Sequence, residues 1–114
     1  MDNRIFVYGL SRRPSLRKKV EKITHIVLGY FNLRTKTLDI TFLGNREMVL
    51  LKRRYLKKKT GPANTLSFEP GVRFPEPKGF PEALGEVLIN TDLTEHKIQK
   101  ISPLLIHSIL HLLG

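Results

Sequence analysis

Residues 107–114 read HSILHLLG, with His107 and His111 four apart in an otherwise apolar run and a glycine after them. On a helix this spacing puts both imidazoles on one face, a turn apart. One metal ion can then take a ring nitrogen from each at about 2.0–2.1 Å. Gly114 can adopt the left-handed conformation that ends a helix and turns the chain back. A third ligand on the returning chain would leave one position for water, the layout of a catalytic zinc site and not of a closed structural one. The same spacing also suits two histidines packed and hydrogen-bonded at the edge of a core, and spacing alone leaves both readings open. Ser108 stands where an H-E-x-x-H helix carries its general base. Hydrolysis would therefore draw on water activated by the metal, a 2′-hydroxyl of the substrate, or a base from elsewhere.

The pair needs a helix, and Ser102-Pro103 offers a cap and first turn for one running PLLIHSILHLL. Residues 91–101 begin helical ahead of it. LGEVLIN (84–90) and NTLSF (64–68) read as strands beside that helix. Residues 69–83 hold four prolines and two glycines and form a loop on the rim. Upstream, RIFVYGL (4–10) is a short strand. Pro14 opens a helix to about residue 30, with Leu16, Val20, Ile23 and Val27 inward. KTLDITFLG (36–44) alternates as a half-buried strand. Asn45 is the expected N-cap of a helix to about residue 57, with Met48, Leu51 and Tyr55 inward. The expectation is one α+β domain over residues 1–114, with a small mixed sheet, helices packed on it, and the histidine helix at the C-terminal end.

The 114 residues carry 20 Lys+Arg against 10 Asp+Glu, a formal charge of +10, with no cysteine. Disulfides and thiolate metal sites are excluded. The charge suits a polyanion bound with counterion release. No window approaches a membrane span, and the first residues do not form a secretory signal, so a cytoplasmic protein without membrane contact is expected. The charge concentrates in LKRRYLKKK (51–59), where Lys52, Arg53, Arg54, Lys57, Lys58 and Lys59 surround Tyr55. These cations wrap a helix end, where the macrodipole also favours them. Their functional reading is a rim that grips RNA phosphates. Arg12, Arg13, Arg17, Lys18 and Lys19 read as a solvated helix face, and His25 and His96 as surface or packing residues. Glu86, on the strand beside the histidine helix, is either a base or orienting group or an ordinary solvent-facing residue.

Taken together, three stretches resemble the YbeY family of metal-dependent endoribonucleases. HSILHLLG resembles the family motif H-G-x-L-H-L-x-G-Y-D-H through His107, Leu110, His111, Leu112 and Gly114, with Ser108 in place of the glycine. GPANTLSF resembles P-T-(D/N)-V-L-S-F through Pro62, Asn64, Leu66, Ser67 and Phe68, with Ala63 and Thr65 as departures. Leu84-Gly85-Glu86-Val87 resembles L-G-D-I. The resemblance covers about residues 36–114. It implies a third histidine ligand past Gly114, so the motif is interrupted mid-phrase, as expected of a truncated chain. It also implies an arginine after the aromatic of an L-N-x-x-(F/Y)-R stretch. Here Tyr55 matches the aromatic and Leu56 stands in the arginine's place, leaving Arg54 or Lys57 as substitutes.

The resemblance implies one zinc ion held by His107 and His111, and cleavage of single-stranded or loop RNA. Its implied role is maturation of ribosomal RNA of the small subunit. The catalytic candidates are Arg54, Lys57 and Glu86, and the RNA-gripping rim is Lys52, Arg53, Arg54, Lys57, Lys58 and Lys59. The alternative is a module of the same fold that binds RNA or the ribosome without turnover for want of a third ligand. A metal-dependent peptidase is disfavoured by the missing helix glutamate and the positive charge.

Overall fold

In a computed structural model of the protein, residues 2–56, 63–73 and 82–114 are described. The chain runs β1 (Arg4–Tyr8), α1 (Pro14–Tyr30), β2 (Lys36–Leu43), α2 (Asn45–Leu51), β3 (Thr65–Phe68), β4 (Glu82–Asn90), α3 (Thr91–Thr94) and α4 (Ile98–Leu113). The strands form one mixed sheet in the order β1-β2-β4-β3. β1, β2 and β4 are parallel, and β3 pairs antiparallel to β4 at the edge. The expected α+β architecture is present, and no helix among the described residues is long and apolar enough to cross a membrane.

Alternation along the strands sorts the side chains onto two faces. Leu38, Ile40 and Phe42 of β2 and Val87 and Ile89 of β4 pack with Val20 and Leu28 of α1 and with Ile101, Leu105 and Ile109 of α4. This is the main core. The opposite face carries a smaller cluster in which Met48 of α2 covers Phe68 and Leu88. Thr24 also sits buried within α1, its hydroxyl donating to the Val20 carbonyl at 2.8 Å. That internal bond lets a polar residue occupy a core position.

Several boundaries differ from expectation. β1 stops at Tyr8 because Gly9 turns at φ +92°, and a Cβ there would lie 2.4 Å from the Phe42 carbonyl oxygen. Asn45 is the first residue of α2 and not its cap. Gly44 holds the cap position, and the Asp92 carboxylate accepts the Asn45 N–H at 2.7 Å. After Leu51 the expected α-helix becomes a π turn over Lys52–Leu56, which adds about one residue per turn. Tyr55 there meets the Phe68 ring at 5.2 Å and packs on the smaller cluster. β4 starts at Glu82, ahead of the expected residue 84.

The largest correction concerns α4. It does not begin at Ser102-Pro103. It begins at Ile98, after Glu95 and His96 both adopt left-handed backbone, and Pro103 lies inside it. An interior proline costs about 3 kcal/mol. The longer helix buries Ile101 completely and packs Ile98 on the core, each contributing up to about 1.5–3 kcal/mol. Pro103 and Gln99 are both exposed, so the carbonyl that Pro103 leaves without an N–H partner faces water. The Ser102 hydroxyl donates to the Ile98 carbonyl at 2.7 Å.

Candidate functional site

α4 buries Ile101, Leu105, Ser108 and Ile109 against the sheet. At 3.6 residues per turn, His107 and His111 project from the flank of that buried stripe, and both rings are exposed. Their Nε2 atoms lie 3.1 Å apart and their rings stand edge to face at 4.6 Å. Two arrangements suit this distance. One neutral ring can donate its Nε2–H to the other, or both lone pairs can face a shared cation. Two nitrogens on a tetrahedral zinc at about 2.0–2.1 Å sit about 3.3–3.4 Å apart, so the observed pair needs only a small opening to span adjacent coordination positions. As a donor set it fits two of the positions of a zinc site. Among the described residues, no group of three or more His, Cys, Asp or Glu is placed to hold a metal.

The C-terminal half of α4 is seated against β3 and β4 by close contacts. Ser108 is buried, and its hydroxyl meets the Thr65 hydroxyl of β3 at 2.7 Å. Gly85 of β4 takes φ +134°, and a Cβ there would fall 2.3 Å from the Phe68 carbonyl oxygen and 3.0 Å from Leu112 Cδ2. The glycine of L-G-E-V is thus required where strand, neighbouring strand and histidine helix converge. It coincides with a bulge between β2 and β4, where the register shifts between Thr37 and Leu38.

The other end of β4 is tied down by Asn90, which is completely buried. Its amide donates to the Asn45 side-chain oxygen at 2.7 Å and to the Ala63 carbonyl at 3.1 Å. Its oxygen accepts the Asp92 and Leu93 N–H groups, capping α3. The backbone N–H of Asn90 reaches the Asn64 carbonyl at 2.9 Å. One side chain therefore joins the start of α2, the entry to β3 and the start of α3. Sequence reading missed Asn90; its signal was an amide closing an apolar strand directly before a helix.

The basic segment is described as far as Leu56. Arg53 and Arg54 are exposed, and Lys52 is half-buried. Arg54 stacks over the Tyr55 ring at 5.5 Å. Tyr55 is itself engaged with Phe68, so it belongs to the core more than to a base-stacking surface. Lys57, Lys58 and Lys59 lie outside the described residues. In the other basic cluster, Arg17 pairs with Glu21 at 3.7 Å on the exposed face of α1.

Glu86 is neither beside the histidines nor solvent-facing. It shares the face of Leu88, away from α1 and α4, because Val87 and Ile89 take the positions facing those helices. Only 5% of it is exposed. Its carboxylate accepts the Thr41 hydroxyl at 2.9 Å and pairs with Arg73 Nε at 3.2 Å. Burial pushes its pKa up; Thr41 and Arg73 oppose the shift, and the Asp39 charge adds to it. The sheet separates Glu86 from His107 and His111, so it is not a base for chemistry at that pair. His96 is near Arg13 and Asp92, and burial is the main cause that lowers its pKa.

Comparison with known proteins follows the same segments. The model of the family described as endoribonuclease YbeY matches residues 10–114. The endoribonuclease YbeY of Aquifex aeolicus is 30% identical over 120 residues, an alignment that spans 98% of this chain and 76% of that protein. A solution structure of a Thermotoga maritima protein superposes with a TM-score of 0.56 at 17% identity, covering 96% of this chain and 72% of that one. The structural likeness establishes a shared fold.

Proposed function

This chain belongs to the YbeY endoribonuclease family, and we propose that it is a metal-dependent, single-strand-specific endoribonuclease. Its proposed role is the maturation of ribosomal RNA, in particular that of the small subunit. The observation that carries the metal-dependent reading is the pair of exposed imidazole nitrogens 3.1 Å apart on α4. We assign zinc, which suits imidazole ligands. When bound, zinc polarises phosphoryl oxygens and lowers the pKa of water at an open position.

The chain's own residues supply the remaining parts. His107 and His111 offer neutral nitrogen donors from a helix whose backbone is fixed by packing. The third donor comes from outside the described residues, and the family motif sets a histidine beyond His111 for that role. Arg53 and Arg54 present guanidinium forks on the exposed π turn and would take RNA phosphates in bidentate geometry. Lys52, Lys57, Lys58 and Lys59 extend the same charge as a sequence-independent grip. Stacking on Tyr55 holds the Arg54 guanidinium in place, which favours it over Lys57 as the group that steadies the reacting phosphate.

One observation favours the second reading, RNA or ribosome binding without turnover: the missing third member of the metal group among the described residues. The two readings separate in a cleavage assay on the protein as encoded, with single-stranded and duplex RNA, with and without added zinc. The nuclease reading expects cuts in single strands that stop on chelation and in His107→Ala. Binding without cuts under every condition would overturn it in favour of the second.

A further inference from the structure

We propose that Thr65 and Ser108 form a coupled latch that sets where α4 presents His107 and His111, a positioning role that rests on the metal-site reading above. Both residues depart from the motifs this chain otherwise resembles. Thr65 stands where P-T-(D/N)-V-L-S-F has valine, and Ser108 stands where H-G-x-L-H has glycine. In the fold these two departures touch, their hydroxyl oxygens 2.7 Å apart in a part-buried contact between β3 and α4.

The direction of the bond follows from counting protons. The Thr65 hydroxyl donates to the Leu88 carbonyl at 2.8 Å. A hydroxyl has one hydrogen, so Ser108 is the donor to Thr65. The result is a relay from α4 through β3 to the backbone of β4. A valine and a glycine could make none of it. Serine opposite valine would bury a donor with no partner on β3, which is unfavourable. Its remaining option is to turn back to the carbonyl of Leu104 in its own helix, releasing α4 from the strand. The two departures therefore support each other, and serine alone would not.

The latch acts on the histidines through helix geometry. Ser108 adjoins His107 in sequence, and His111 lies about 60° around the axis from it, one turn on. Both rings spring from this turn of α4, so its placement sets the region that their Nε2 atoms can reach. Fixing Ser108 fixes the rotation and the height of this turn against β3, and the gap between the two nitrogens opens to the side so defined.

Four proteins test the proposal: the parent, Thr65→Val, Ser108→Ala and the double variant. Three readouts apply: imidazole ring signals of His107 and His111 by NMR without metal, thermal midpoint, and zinc titration by calorimetry. Thr65→Val is expected to move both ring signals, lower the midpoint and weaken zinc binding about tenfold, the low end for outer-shell partners. Adding Ser108→Ala removes the stranded donor and recovers part of the midpoint loss, while the ring signals and zinc affinity stay displaced because the latch is gone. Strict additivity of the two changes in the midpoint, or ring signals unchanged across all four proteins, would overturn the latch. Zinc uptake by none of the four, with ring signals that move in Thr65→Val and stay moved in the double variant, would sink the metal-site reading and leave the latch standing, whereas ring signals that return to the parent's in the double variant would overturn the latch.

Discussion

Replacing Asn90 with alanine tests how the fold holds the entry to β3. The side chain is fully buried, and both its donors and both its acceptor positions are used. Alanine removes the cap of α3, worth about 1 kcal/mol. It also leaves the Asn45 side-chain oxygen and the Ala63 carbonyl without their donor, at about 1 kcal/mol each. The expected loss is about 3 kcal/mol. At about 2.1 cal/mol/K per residue the unfolding entropy gives about 4 °C per kcal/mol, so the midpoint should fall by about 12 °C. Asn90→Asp sharpens the test. It keeps the acceptors that cap α3, but it turns a carboxylate toward two oxygens that now receive hydrogen bonds at 2.7 and 3.1 Å. It should be at least as damaging as alanine at neutral pH. Thermal or urea unfolding of the three proteins decides the matter. An aspartate variant as stable as the parent would mean that only the cap matters, and the tie between β4, α2 and β3 would be refuted.

Three further outcomes follow from particular contacts. Gly85→Ala should lose at least about 2–3 kcal/mol or fail to fold, since the new Cβ meets backbone at 2.3 Å in a left-handed conformation; a loss within about 0.5 kcal/mol in urea titration would contradict the convergence described at that point. Pro103→Ala should raise stability by about 1–2 kcal/mol by restoring an N–H to an interior helical position, whereas a helix that began at residue 103 would gain nothing. Burial raises the Asp39 pKa, and the Asp39 charge raises that of Glu86. Folded pKa values above the unfolded ones mean that the native state holds protons longer, so stability present at low pH is lost as pH rises through the folded values. Asp39→Asn should therefore gain on the parent between about pH 4 and pH 7 in unfolding measurements, and a difference that stays constant across that range would show that the carboxylate is not penalised.

Periodicity made most of this fold legible. The helix at 14–30 was expected at its observed limits because Pro14 fixes its start and the apolar spacing persists to Val27. β2 and β4 were legible because alternation and β-branched residues agree. What escaped was set by tertiary contacts. Ser102-Pro103 has the chemistry of a helix start, yet burial of Ile101 carries the helix back to Ile98. Asn45 has the chemistry of a cap, yet the Asp92 carboxylate, distant in sequence, caps that helix instead. The histidine pair was legible from its spacing, and its nitrogens do converge. Glu86 was misread because strand alternation alone does not say which face a helix will cover, nor that Arg73 will reach back to it. The hydroxyl contact between Thr65 and Ser108 joins residues 43 apart and has no local signal.

The metal-dependent reading requires His107 and His111 to hold one metal ion together. The direct measurement is a zinc titration followed on the ring signals of all four histidines, in the parent and in His111→Ala. His107 and His111 should shift together and saturate at one zinc per chain, His25 and His96 should stay still, and His111→Ala should abolish the response. Rings at 107 and 111 that ignore zinc, or a response that survives His111→Ala, would mean that the pair simply bonds to itself at 3.1 Å, and the metal-dependent reading would fall.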